Sequence, residues 1–524
     1  MEYLSKYEKI QLQEYCYIYP NGGCAERLLK ILREIYREVQ FVGIDDKEEA
    51  SSLERYAKEI RQSEKYVLLM GGDVYEELEE KCRKAGIQRL IDGREFVAYL
   101  LCKNILELSV GGGAKFELLD NRILHIYEDE WIKHYYYFYD LFTYYCSKIA
   151  LEELRQCVLQ YCQVTQNNLE KSGYSLELQK GIMFDFAPHT FEITSFILDD
   201  VKVAWYFGSM EYYSKYKDKV AKQSVLIAPW VIADYFINYE VTLRLSGGMP
   251  SLNQARRKVV GIGHSLAEAF ALAPRNIKEK NLRQYVYYYF SPFSHYCAMD
   301  RESYNAFMKI FKENSLEIEV CKSGSPRLDH KIQLQSPPRS LVKQFLFIPR
   351  LMKAEELKEA ILFLLNNNKK VMFRPHPALR NYVEYMESGD PYKILDEFKE
   401  YSNFSFDLSE NLSYELLMES IVIADNSSVS YSTPLSVCKP VILYALPKKE
   451  FDLRIENFGV SFTNPKLHRV ALDLETFKKV ALQLELDLKT KGKQILEELK
   501  QYQKEEVYHL GESSKWIASF LENL

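Results

Sequence analysis

No stretch of the chain approaches the ~18 to 20 uninterrupted apolar residues that a membrane-spanning helix needs. The best run, Val225 to Asn238, is short and carries Asp234, so the chain is expected not to cross a membrane. No C-x-x-C pair occurs among the 10 cysteines; no zinc or redox site is suggested, and reduced, mostly buried thiols are expected. The start, Met1-Glu2-Tyr3-Leu4-Ser5-Lys6, soon becomes Lys/Glu/Gln-rich and lacks both an apolar h-region and a small-residue cleavage site, so a cytoplasmic location is expected. An excess of positive charge is also missing. The 68 basic and 74 acidic residues leave a net charge of −6, which supplies no global field for gripping a polyanion, and no nucleic-acid partner is expected. Only 17 Pro and 22 Gly interrupt 524 residues, which excludes fibrous and low-complexity compositions.

What is present is core-forming material: 47% of residues are hydrophobic and 27% charged. At roughly 150 residues per domain, the length allows about three or four domains. Tyrosine is abundant, with 40 residues concentrated in His134-Tyr135-Tyr136-Tyr137-Phe138-Tyr139 and Tyr285 to Phe290. Such runs suit buried or subunit-interface surface better than a platform for stacked bases, and self-association into a homo-oligomer is expected from them.

The first ~100 residues alternate strand and helix in βαβαβ order, with strands at Tyr15 to Tyr19, Val39 to Ile44 and Tyr66 to Met70. Pro20-Asn21-Gly22-Gly23-Cys24-Ala25 with Asp45 meets only part of the dinucleotide fingerprint, since Pro20 stands where the first glycine belongs. The expectation is a Rossmann-like domain that binds no dinucleotide. A second α/β series begins near Leu176, and a third near Leu341, in which Leu357, Ala360, Ile361, Leu364 and Leu365 share one helix face. After Asp473 the pattern is helical. The expected fold class is α/β: a pair of Rossmann-like lobes facing a cleft, preceded by a small Rossmann-like domain, with a helical C-terminal tail. The expected boundaries are an N-terminal domain over 1–110, a helical, aromatic connector over 111–177, a first lobe over 178–335, a second lobe over 336–470 and C-terminal helices over 471–524.

Two short segments carry chemistry. Arg374-Pro375-His376-Pro377 follows a strand, and Pro377 biases His376 away from the helical conformation, which projects the imidazole from the sheet edge with little freedom. About 50 residues on, Asp425-Asn426-Ser427-Ser428 follows another apolar strand. Adjacent hydroxyls and the amides of a strand-to-helix turn make a neutral cradle for phosphate oxygens. Either alone reads as a loop histidine or an N-cap; together, at successive strand ends, they are more specific.

With these segments, and with Gly324-Ser325-Pro326-Arg327-Leu328-Asp329 and Lys439-Pro440-Val441-Ile442-Leu443-Tyr444, the sequence resembles the CDP-glycerol glycerophosphotransferases that build teichoic-acid-type polymers. More loosely it is similar to other bacterial cytidine-nucleotide transferases of GT-B form with HP and SS motifs. The resemblance spans about residues 178 to 465. It implies a GT-B-like pair of lobes, 178–335 for the acceptor and 336–470 for the nucleotide donor, with His376, Ser427 and Ser428 holding the donor diphosphate and Asp425 and Ser432 in supporting places. With no cation expected, helix N-termini, His376 and Arg374 or Arg350 are left to neutralise the diphosphate, and Arg327, at the lobe junction, is expected to face the cleft. The family's W-H-G motif, whose histidine looks like the acceptor's general base, is matched by Gly263-His264-Ser265, where only the histidine is kept. A second departure is Ser432, where the family usually has Asp.

The resemblance thus implies a transferase moving a phospho-alcohol or sugar from a CDP- or CMP-activated donor to a surface-glycan or polyol-phosphate acceptor. His264 would be the base and His376 would act on the leaving nucleotide. Because of Ser432, a CMP-sialic acid or CMP-Kdo glycosyltransferase stays open beside it, and so does a non-catalytic nucleotide-sugar-binding scaffold. No metal and no cofactor other than the activated donor are expected; Glu128-Asp129-Glu130 reads as a solvated face. A lipid-linked acceptor would suit peripheral membrane attachment through the basic stretch Lys489 to Lys493.

Overall fold

The computed structural model describes residues 2–12, 15–20, 23–46, 52–63, 65–70, 75–142, 146–187, 190–245, 252, 257–263, 286–287, 289–333, 341–349, 354–375, 393–409, 412–425, 428–445, 448, 451–452 and 464–524. The chain divides into two compact units. One holds 1–186, 199–259 and 277–294, and the other holds 187–198, 260–276 and 295–524.

The first unit opens with four short parallel strands, β1 (Tyr15–Tyr19), β2 (Gln40–Gly43), β3 (Val67–Leu69) and β4 (Leu90–Asp92), in the order β2-β1-β3-β4. This is the expected Rossmann-like beginning. Asp92 ends β4 and caps the helix Gly93–Val110, its carboxylate accepting the amides of Arg94 and Glu95. That helix is buried on every side over residues 93–102, as required of a segment enclosed by other elements rather than laid on a surface. It packs against the helix Lys148–Lys171. Its one buried acid, Glu95, accepts bonds from Lys6, Tyr7, Tyr3 and Ser147. Although burial acts the other way, bonds from Lys6, Ser147 and Tyr3 hold Glu95 below the usual carboxylate range.

The stretch 111–177, expected to be helical throughout, also contains an antiparallel hairpin of β5 (Phe116–Asp120) and β6 (Ile123–Ile126). Its turn is local chemistry: the Asp120 carboxylate accepts the Arg122 amide at 2.6 Å. β6 then pairs in parallel with β9 (Ser224–Ile227). With β7 (Gln179–Asp185), β8 (Val203–Phe207) and β10 (Tyr239–Leu245), the order in this unit is β10-β7-β8-β9-β6-β5. Apart from β5 the neighbours are parallel.

β11 (Lys258–Ile262), whose last three residues belong to the second unit, pairs in parallel with β12 (His295–Ala298), and β12 with β13 (Glu319–Lys322). A separate six-stranded parallel sheet comprises β14 (Gln344–Ile348), β15 (Val371–Phe373), β16 (Phe404–Phe406), β17 (Ser420–Ala424), β18 (Val441–Tyr444) and β19 (His468–Ala471). Its order is β16-β15-β14-β17-β18-β19, the 3-2-1-4-5-6 arrangement of a doubly wound nucleotide-binding sheet. The expected helix face Leu357, Ala360, Ile361, Leu364 and Leu365 is buried in its core. Phe477, Ala481, Leu484 and Leu488 of the helix Leu474–Glu506, capped by Asp473, complete that core at helical spacing. Among the described residues no helix is long and apolar enough to cross a membrane, and nine cysteines are free and buried.

Candidate functional site

In a doubly wound sheet, ligands sit outside the carboxyl ends of the strands where the winding reverses. In the six-stranded sheet that point lies between β14 and β17. β14 pairs with β15 on one side and β17 on the other, so the carboxyl ends of β15 and β17 lie two strand spacings apart, about 10 Å. β15 runs into Arg374 and Pro375, and β17 into Asp425. Beyond them His376, Asn426 and Ser427 lie outside the described residues, as do His264 and Arg350. Ser428 opens the helix Ser428–Val437.

Arg374 is 3% exposed. Its amide donates to the Phe347 carbonyl at 2.9 Å, continuing the β14 side, while Nη1 donates to Asp407 Oδ2 at 2.5 Å and to Ser409 Oγ at 2.9 Å. Although burial raises it, bonds from Ser409 and Arg374 hold the Asp407 carboxyl below its usual range. The expected phosphate ligand is thus already engaged by a half-buried carboxylate, and what the pair does physically is anchor the strand end that leads to His376.

The helix after β17 is unusual in being polar yet buried, with Ser430, Ser432, Thr433 and Ser436 all inside. Pro434 lies within it and has no N–H for the carbonyl four residues back, which is that of Ser430. His468 of β19 supplies the missing donor: its Nε2 lies 2.9 Å from the Ser430 carbonyl. Burial pushes the His468 imidazole down to about 4, so the ring is neutral and carries its proton on Nε2. Asp425 is 1% exposed and Ser432 8%; both sit in the frame of this turn and helix.

Of the Gly324 to Asp329 segment, most is architectural. Gly324 has φ +76°, and a Cβ there would come within 2.3 Å of the Tyr508 carbonyl oxygen and of Ser513 Oγ. Asp329 accepts the amides of Gly511 at 2.7 Å and Ser513 at 2.8 Å, capping the C-terminal helix Ser513–Glu522. Arg327 is exposed on the helix Pro326–Gln333, which packs against the helix Ser428–Val437. One turn on is Lys331, which the sequence reading missed although the i,i+4 spacing was visible. Burial, and then repulsion from Arg327, pushes its ammonium down to about 8. A like-charged pair at this spacing costs a few tenths of a kcal/mol, and an anion between the two would reverse that sign.

Lys439 has a structural role. It is 2% exposed and donates to the carbonyls of Leu341, Met418 and Ser420, all at the amino-terminal edge of the sheet and away from the switch-point crevice. In the first unit, Asp129 accepts the Trp131 amide at 2.9 Å. Glu130 clusters with Glu34 and His134, their ligand atoms within 4.8 Å of one another, and His134 Nε2 is 2.5 Å from Glu34 Oε2, a hydrogen bond. In the long C-terminal helix, Lys489 pairs with Glu485 at 2.7 Å.

No family model and no curated protein matches this chain. Similar solved structures include the wall teichoic acid polymerase TagF, at 16% identity over 72% of this chain and 94% of that one, TM-score 0.44. UDP-GlcNAc 2-epimerase from Neisseria meningitidis bound to UDP-GlcNAc is 13% identical over 66% of this chain and 100% of that one, TM-score 0.40. MurG from Acinetobacter baumannii is 12% identical over 66% and 100%, TM-score 0.33. Likenesses this distant leave the strand order to carry the fold assignment: α/β, with several parallel Rossmann-like sheets.

Proposed function

We propose that the chain is a GT-B-type transferase that moves a phospho-alcohol such as glycerophosphate, or a sugar, from a CDP- or CMP-activated donor to a surface-glycan or polyol-phosphate acceptor. One observation carries this reading: the HP and SS segments both follow strands that flank β14 at the winding reversal of a 3-2-1-4-5-6 sheet, the crevice where such sheets take nucleotides. In it His376, Ser427, Ser428 and the amino end of the helix Ser428–Val437 receive the donor's phosphates. Arg327 and Lys331 add positive charge from the helix packed alongside. Arg374 serves by fixing the strand end through Asp407, with Asp425 and Ser432 framing the turn. His264 accepts the acceptor's hydroxyl proton as that oxygen attacks, and the nucleotide leaves.

Calorimetry with CMP, CDP, UMP and UDP tests the reading. Cytidine forms are expected to bind at least tenfold more tightly than uridine forms, and His376→Ala is expected to abolish CMP release from the donor. Indifference to all four nucleotides removes the basis of the proposal. Ser432 favours keeping a CMP-sugar donor as the second reading, and product analysis with CDP-glycerol against a CMP-linked sugar separates the two.

A further inference from the structure

The first unit has a winding reversal of its own. From β7 the chain steps outward through β8 to β9 and then returns to lay β10 on the opposite side of β7, so the crevice of this sheet opens at the carboxyl ends of β7 and β10. A cavity of about 330 Å³ lies there. Asp185 is the last residue of β7, Tyr206 comes from β8, and Arg244 from the end of β10; Trp230 and Asp234 come from the helix Trp230–Phe236 and Tyr136 from the helix Glu130–Phe142.

The chemistry of the walls selects a ligand class. Three aromatic rings, Tyr136, Tyr206 and Trp230, line the cavity; Tyr136 and Trp230 meet edge to face at 5.3 Å, and the Arg244 guanidinium lies 5.6 Å from the Trp230 ring centroid. Among the described residues the charges balance: Asp185 and Asp234 against Arg244 and Arg257, with Asp234 bonded by Arg257 and, at 3.3 Å, by Arg244. Charges so paired give these residues no excess of positive charge with which to concentrate a free phosphate. Carboxylates and a guanidinium beside aromatic faces do match a molecule that presents hydroxyls on its rim and C–H groups on its face. The volume, at the low end for ligand sites, admits one ring-sized unit.

We infer that this cavity binds a neutral polyol of monosaccharide size, its apolar face against Trp230 and its hydroxyls on Asp185 and Arg244. The inference does not depend on the transferase reading, which concerns the other unit's six-stranded sheet. A second observation supports it. Asp185 is half-buried at the strand end, where it accepts the Leu245 amide at 3.0 Å, and desolvation, opposed by Arg244, pushes its carboxyl up to about 6. An asparagine could accept the same amide without that cost, and acids kept at such cost in a crevice cluster at functional sites.

The test is saturation-transfer NMR and calorimetry on the full chain with glycerol, D-glucose and N-acetyl-D-glucosamine, with inorganic phosphate as the contrast. At least one neutral probe is expected to bind with its C–H protons saturated, and Asp185→Asn and Trp230→Leu are each expected to weaken it at least tenfold, while Trp230→Phe keeps it within about threefold. Should Asp185→Asn fail to fold, the Trp230 pair carries the test alone. No binding by any neutral probe, binding of phosphate in their place, or binding unchanged in the variants would overturn the inference.

Discussion

At the scale of single residues, the buried side chains of His468, Lys439 and Asp329 are spent on backbone partners. His468 compensates for a donor that Pro434 lacks, which makes the two positions thermodynamically coupled. His468→Phe is expected to cost about 1–3 kcal/mol by stranding the Ser430 carbonyl. In a Pro434→Ala background, where the helix can donate to that carbonyl itself, the cost is expected to shrink; a double-mutant cycle by urea denaturation measures it, and an unchanged cost would refute the coupling. The pH dependence has a definite sign. The unfolded imidazole titrates near 6.5 and the folded one near 4, so between those values the unfolded chain holds the proton. This site's contribution is therefore present above about pH 6.5 and falls by up to about 3 kcal/mol as pH drops through the window.

Asp185 behaves oppositely. Its folded carboxyl titrates near 6 and its unfolded one near 3.9, so the native state holds the proton in between and this contribution weakens as pH rises from about 4 to 6. Asp185→Asn is expected to raise the melting temperature at pH 7.5 more than at pH 4, by the equivalent of up to about 3 kcal/mol. Equal shifts at both pH values would show that burial is not what governs this carboxyl.

At the scale of elements, the segment Gly324 to Asp329 holds helices together. Gly324 lies in a conformation that L side chains rarely adopt, with the Tyr508 carbonyl where a Cβ would stand. Gly324→Ala is expected to destabilise by more than about 2 kcal/mol. Asp329→Ala, which leaves the Gly511 and Ser513 amides without their acceptor, should cost about 1–2 kcal/mol and raise amide exchange selectively in Ser513–Glu522. Lys439→Met, stranding three carbonyls, is expected to cost about 3–5 kcal/mol in chemical denaturation while leaving the nucleotide preference of the folded fraction unchanged. Motif residues of this kind read like site residues in a sequence, because the pattern records only that a side chain is required and not which edge of the sheet requires it.

At the scale of the whole molecule, the alternation of short apolar runs with amphipathic stretches determined an α/β chain with parallel Rossmann-like sheets, because strand and helix periodicities are local properties. The same locality hid some elements. β16 has three residues and β12 and β13 four each, too few to show a period. β10, Tyr239–Leu245, does alternate, but Thr242 and Arg244 on its polar side are buried too, so its alternation does not mark a solvent face. The hairpin at 116–126 was absorbed into its helical surroundings. The strand ends bearing Arg374 and Asp425 were legible, since each follows an apolar run at once. Only the tertiary structure decided that they flank one strand at a winding reversal, that Arg374 turns to Asp407, that Lys331 joins Arg327, and that Asp185 and Arg244, 59 positions apart in the chain, share a cavity. Those facts depend on strand order and on desolvation, which arise when distant segments pack and leave no periodic trace in the residues themselves.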